Sequence, residues 1–137
     1  MNSASTYLNF DGETRDAMSF YAKCLAADLN IQSFRDAGMG DDPATADRTV
    51  HARIEKGAVM IMASDTQPGA SFTKGNNFFI CIDCESAEEL ERLHTALGEG
   101  GTTTMEPQDT FWGARFSMLT DRFGVGWMFN YQLPQSA

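Results

Sequence analysis

The chain has 137 residues, 42% of them hydrophobic and 21% charged, with ten Phe, three Tyr and two Trp. That length and apolar content fit one folded domain and argue against intrinsic disorder, because disordered chains lack surface to bury. The formal charge of −9 argues against a general nucleic-acid or anionic-membrane binder, which needs a basic footprint, while leaving a small anionic ligand open.

Tyr7-Leu8-Asn9-Phe10 alternates and stops at Asp11-Gly12, so a first strand is expected. Ala17, Phe20, Tyr21, Cys24 and Leu25 follow at i, i+3, i+4, i+7 and i+8, one face of a helix. Leu29 to Phe34 reads as a second strand, and Asp36 to Asp47, rich in Gly, Asp, Ala and Pro, as a loop. Thr49 to Glu55 alternates, with Val50, Ala52 and Ile54 on one face and His51, Arg53 and Glu55 on the other. Gly57 turns the chain into a strand over Ala58 to Ala63, and Asp65 to Asn76 reads as a second loop.

The order then repeats. Asn77 to Asp83 reads as a strand, and Ser86-Ala87-Glu88-Glu89 is a capping box opening a helix through Leu90, Leu93 and Leu97. Gly98, Gly100 and Gly101 end that helix. Three more strands are expected over Thr102–Met105, Trp112–Leu119 and Val125–Tyr131. Each half is therefore β-α-β-β-β, with modules at about 5–65 and 77–131 of a single domain over 1–137. Two short matches support duplication: His51-Ala52-Arg53-Ile54 with Gly113-Ala114-Arg115-Phe116, and Gly57-Ala58-Val59 with Gly124-Val125-Gly126.

Among the chemically capable residues, His51 faces away from Val50, Ala52 and Ile54. It reads as a ligand contact, a general base, part of an unorthodox metal site, or a histidine bonded within the sheet. Arg53 and Arg115 fall at matching positions and are expected to share a face with His51 and Ser117. Together they could clamp a carboxylate or phosphate, or each could pair with a nearby acid. Trp112 reads as a stacking wall or lid, or as a core or interface aromatic, and Trp127 as core. Met60, Met62 and Met128 fit a pocket lining or core filling. Cys81-Ile82-Asp83-Cys84 spells C-x-x-C, but strand positions three apart point to opposite faces, which disfavours chelation or a disulfide. Cys24 sits on the apolar helix face and reads as core. Glu88, Glu89 and Glu91 fit a solvated helix start.

No stretch reaches the ~20 apolar residues that span a bilayer. Met1 to Thr6 lacks the basic start and apolar core of a signal peptide. With three cysteines and no disulfide pattern, a reduced, cytoplasmic protein is expected.

The element order, with Tyr7-Leu8-Asn9-Phe10, Ala17…Phe20-Tyr21, His51-Ala52, Met62-Ala63-Ser64-Asp65, Thr110-Phe111-Trp112-Gly113 and Asp121-Arg122-Phe123-Gly124-Val125-Gly126-Trp127-Met128, resembles the PhnB-like family. That family belongs to the glyoxalase/bleomycin-resistance/dioxygenase, or vicinal oxygen chelate, superfamily. The resemblance spans nearly the whole chain. It implies an α+β fold, two βαβββ modules forming a curved mixed sheet around a concave pocket with helices outside, and a homodimer. Some members carry a demethylubiquinone methyltransferase label, although no glycine-rich nucleotide-binding strand–helix turn is evident here.

In metal-using relatives, four strands each supply a His, Glu or Gln to a divalent ion that acts as a Lewis acid. The corresponding positions here fall at Ser5 or Thr6, near Met60 or Met62, at Asn77 and near Met128, and none is His, Asp or Glu. A hard cation prefers oxygen or imidazole to thioether, so a divalent metal is disfavoured and no cofactor is expected. The expected function is small-molecule binding by Tyr7, Asn9, His51, Arg53, Met60, Met62, Asn77, Trp112 and Arg115. The alternatives are a metal-dependent lyase or oxygenase, a metal-free acid–base enzyme using His51, and a dimeric module with a vestigial pocket.

Overall fold

Each half of the chain runs strand, helix, then three strands, in a computed structural model that describes residues 1–135. The first half contains β1 (Thr6–Phe10), α1 (Thr14–Leu25), β2 (Asp28–Ser33), β3 (Thr49–Lys56) and β4 (Val59–Asp65). The second contains β5 (Phe79–Asp83), α2 (Ala87–Leu97), β6 (Thr102–Asp109), β7 (Ala114–Thr120) and β8 (Gly126–Gln132). The expected βαβββ order is the observed one. The halves form two compact units, Met1–Thr73 and Lys74–Ala137, each with its own four-stranded sheet and helix. Among the described residues, no helix is long and apolar enough to cross a membrane.

In the first unit the strand order is β1-β4-β3-β2. β1 lies parallel to β4, and the other neighbours are antiparallel. The cross-strand row Leu8–Ala63–Ala52 is buried, as are Phe10, Ile54 and Ile61, because these alternate positions meet α1. The helix answers with Ala17, Met18, Tyr21, Ala22, Cys24 and Leu25. Phe20, expected on that face, is only half-buried, and Met18 fills the stripe instead. Cys24 is core, as its spacing predicts.

The second unit repeats the plan as β5-β8-β7-β6. Ile80, Ile82, Trp127, Phe129 and Leu119 are buried beside Leu90, Leu93 and Leu97 of α2. Trp127 is fully buried, as expected of a core residue, and its ring lies parallel to that of Phe129. The Ser86 hydroxyl accepts the Glu89 amide at 3.0 Å, half of the predicted capping box. The Glu89 carboxylate reaches one residue further back than that motif requires, accepting the Glu85 amide at 2.9 Å.

Of the boundaries that differ from expectation, β4 runs on to Asp65, expected to open a loop, and three others touch the second unit's candidate residues or edge strand. Trp112 and Gly113 belong to the turn before β7, where Gly113 adopts φ +81°, a conformation that suits a residue without Cβ. β6 continues past Met105 to Asp109, with register shifts on its way through Pro107. A proline is tolerated there because β6 is an edge strand. Asn77, expected to open a strand, lies two residues before β5.

One buried carboxylate ties the first unit together. Asp65 ends β4, and its Oδ1 accepts hydrogen bonds from the amides of Gly12 (2.8 Å) and Thr14 (3.2 Å) and from the Thr14 hydroxyl (2.8 Å). Its Oδ2 accepts the Thr49 amide at 2.8 Å. The β1–α1 turn, the start of α1 and the start of β3 are thus held to one side chain. In the second unit, Asp121 accepts the amides of Phe123 and Val125 and the Trp127 indole N–H. Hydrogen bonds to a buried charge are among the stronger ones. Asp65→Ala is therefore expected to lower the unfolding free energy by about 3 kcal/mol in a urea titration. A loss below ~0.5 kcal/mol, the range of ordinary surface substitutions, would contradict this role.

Candidate functional site

Strand alternation that buries one face of the first sheet opens the other. The open face carries Tyr7 and Asn9 from β1, and Met60, Met62 and Ser64 from β4. β3 adds His51, Arg53 and Glu55, and β2 adds Asp28, Asn30 and Gln32. Tyr7, Met62, Arg53 and Asn30 form one cross-strand row. Six of the sequence-predicted residues therefore share this face: Tyr7, Asn9, His51, Arg53, Met60 and Met62.

Two features organise it. The Tyr7 Oη lies 3.3 Å from His51 Nδ1, with the two rings 5.9 Å apart. β4 runs between their strands, so the two side chains reach across it to meet. On the β2 side of His51 is a concavity of about 540 Å³, lined by Asp28, Leu29, Asn30, Gln32, His51, Arg53 and Glu55. Arg53 pairs with the Glu55 carboxylate on its own strand. Asp28 and Glu55 stand directly opposite each other in the β2–β3 ladder, an unfavourable like-charge pair that Arg53 relieves.

Residues 2–130 match the family described as 3-demethylubiquinone-9 3-methyltransferase. The chain belongs to that family. Protein PA1353 from Pseudomonas aeruginosa is 37% identical, with a TM-score of 0.84 over 98% of this chain and 100% of that one. A PhnB protein from Bacillus cereus, carrying the same methyltransferase description, is 22% identical, with a TM-score of 0.78 over 95% and 99% of the two chains. A glyoxalase/bleomycin resistance protein/dioxygenase family enzyme from Burkholderia phytofirmans is 18% identical, with a TM-score of 0.62 over 95% and 100%. The last two are likenesses of fold. The chain is thus PhnB-like, on the glyoxalase/bleomycin-resistance/dioxygenase fold.

At the positions where the resemblance implies ligands to a divalent ion, this PhnB-like chain carries no His, Asp or Glu. Among the described residues, no three His, Cys, Asp or Glu side chains converge. Met60, a position where a ligand is implied, has its thioether sulfur 4.0 Å from the Ser5 hydroxyl. The imidazole of His51 meets a phenol rather than a carboxylate.

The remaining predicted residues lie in the second unit. Asn77 is exposed in the segment before β5. Trp112 is half-exposed at the β6–β7 turn, edge-on to Phe111 and Phe116 at 5.0 and 5.6 Å. Arg115 is not the counterpart of Arg53. It shares the α2-facing parity of Ser117 and Leu119, and it binds Glu91 of α2 at 2.6 Å and Asp109 at 3.1 Å. These bonds, Glu91 first, raise its already high pKa. Matching Arg53 to Arg115 by sequence slips the strands by one residue, which exchanges their faces. Cys81 is exposed and Cys84 buried, both as free thiols. Burial raises both thiol pKa values, that of Cys84 to about 11, which suppresses the thiolate.

His94 was not singled out from the sequence, although it sits on the Leu90–Leu93–Leu97 stripe of α2. Its Nδ1 lies 2.9 Å from the Ser117 hydroxyl and its Nε2 3.1 Å from that of Thr103, joining α2 to β7 and β6. Burial lowers its pKa, opposed by the nearby charges of Glu106 and Glu91. The unfolded chain therefore binds this proton at higher pH than the folded one. The His94 contribution is complete above the unfolded value near 6.5 and is lost as pH falls through the lower folded value. Stability measured by urea titration is expected to fall as pH drops below about 6.5, with a shallower fall in His94→Gln. Equal slopes in the two proteins would contradict the assignment.

Proposed function

We propose that this PhnB-like protein binds a small polar molecule on the open face of its first sheet, without a divalent metal. The observation that carries the reading is the concavity bordered by His51, Arg53, Asn30 and Gln32, with Tyr7 bonded to His51 beside it. Its volume of about 540 Å³ lies within the ~300–1,000 Å³ range of small-molecule sites. Amides that both donate and accept, one guanidinium and an imidazole can orient a ligand, while Met62 supplies an adaptable apolar neighbour. Methyl transfer finds no support in the strand–helix turns Asp11-Gly12-Glu13 and Cys84-Glu85-Ser86, neither of which is a glycine-rich nucleotide loop.

A second reading, metal-free acid–base catalysis, is favoured by the Tyr7–His51 contact, which gives His51 a protein partner. Self-association as a homodimer belongs to the same proposal. Each sheet leaves two edge strands, β1 and β2 in the first and β5 and β6 in the second, whose free backbone groups need cover.

Thermal melting against a panel of polar metabolites tests the binding reading. A ligand is expected to raise the melting temperature saturably, and recovery of that ligand unchanged or converted separates binder from enzyme. Arg53→Ala and His51→Ala are expected to weaken it about tenfold each, and Arg115→Ala to leave it unchanged. Full affinity in both of the first two variants would place binding elsewhere. A protein that is dimeric by light scattering yet answers to no compound would favour the vestigial module.

A further inference from the structure

The Tyr7–His51 contact joins a phenol, which can donate, to an imidazole nitrogen, which can accept. The two groups come from β1 and β3, on either side of β4, so the pairing is fixed by sheet register rather than by a shared loop. His51 lines the concavity, and its Nδ1 lies 3.3 Å from the Tyr7 hydroxyl. Among the described residues, Nε2 has no protein partner. A phenol is a better donor than acceptor, and the unprotonated imidazole nitrogen is a good acceptor. A hydroxyl proton on the Tyr7–Nδ1 line would leave the ring proton on Nε2.

We propose that Tyr7 is a positioning residue that fixes His51 in the Nε2–H tautomer, presenting a neutral hydrogen-bond donor to the bound molecule. The inference rests on the binding reading above and deepens it. The ligand class follows from the donor: a small molecule with a carbonyl-type oxygen or an aromatic ring nitrogen as acceptor. The acceptor meets His51 Nε2–H, while the amides of Asn30 and Gln32 and the Arg53 guanidinium line the same concavity.

The same geometry allows a proton to pass without charging the imidazole. As the ligand acceptor takes the Nε2 proton, Nδ1 takes the Tyr7 hydroxyl proton, and one N–H bond breaks as another forms. The starting tautomer returns when the phenolate takes the proton back from Nδ1 and Nε2 takes one from water, leaving hydroxide. No oxidant, reductant or metal enters that exchange. It supplies the fold with an acid that does not depend on a Lewis-acidic ion.

Nitrogen-15 NMR of histidine-labelled protein, at a pH where imidazole is neutral, tests this without any ligand. The chain has only two histidines, so His51→Gln assigns the spectrum and His94 serves as an internal folding standard. In wild-type protein the His51 Nδ1 resonance is expected in the unprotonated, pyridine-type position. Tyr7→Phe is expected to lower the Nε2–H to Nδ1–H ratio about fivefold, the bias of one ordinary hydrogen bond, with His94 unmoved. A pyrrole-type Nδ1 in wild type overturns the proposal even if the variant fails to fold, and so does an unchanged or increased ratio in folded Tyr7→Phe. Either failure leaves the binding reading standing, since that reading is decided by ligand stabilisation and not by the tautomer.

Discussion

The carboxylate of Asp65 is the constraint on which the candidate site depends, although it lies on the opposite side of the sheet's ladder from the chemistry. By accepting from Gly12, Thr14 and Thr49, it fixes where β4 ends against β1 and where β3 begins. Side chains alternate with a period of two, so a slip of one residue would turn Leu8, Ala52 and Ala63 outward and Tyr7, His51 and Met62 into the core. Register and site are therefore one property. Hydrophobic burial against α1 gives the sheet its stability, and Asp65 specifies which of the alternating sets receives it.

The two halves share an element order but carry different residues on their open faces. The open face of the first sheet is largely hydrogen-bonding, with Tyr7, Asn9, His51, Arg53, Asn30 and Gln32. The corresponding parity in the second sheet mixes Phe79, Phe116, Met118 and Met128 with Cys81, Asp83, Thr120 and Asn130, and Trp112 of the aromatic turn adjoins Phe111 and Phe116. The two halves thus share a backbone plan while each carries its own open-face set. His51 and His94 show the consequence for one residue type. His51 stands on an open face beside a phenol, whereas His94 is enclosed between two hydroxyls and an aromatic ring, where burial favours its neutral form.

Periodicity carried most of the fold, because a 3.6-residue stripe on each helix and a two-residue alternation on β3 and β4 are strong local signals. It also put His51 and Arg53 on the face opposite Ala52 and Ile54, where the register has them. Local pattern could not place Arg115, since Arg53 and Arg115 were matched by letter while their faces are set by cross-strand pairing. Asp65 was legible only as part of a motif, because its four donors are remote in sequence except through the fold. The Tyr7–His51 contact was equally invisible, being made between strands that are not neighbours. His94 was the one omission with a readable cue, a polar residue on an otherwise leucine-lined helix face.

In the function proposed above, the open face of the first sheet works with imidazole, phenol, guanidinium and amide groups in place of a metal ion. The most direct measurement is the metal content of untagged protein purified without chelators, by plasma mass spectrometry against protein concentration, before and after incubation with zinc, manganese, nickel and iron(II) salts. The account predicts a metal-to-protein ratio far below one throughout. A ratio near one that disappears in His51→Ala would contradict it and would make His51 a metal ligand.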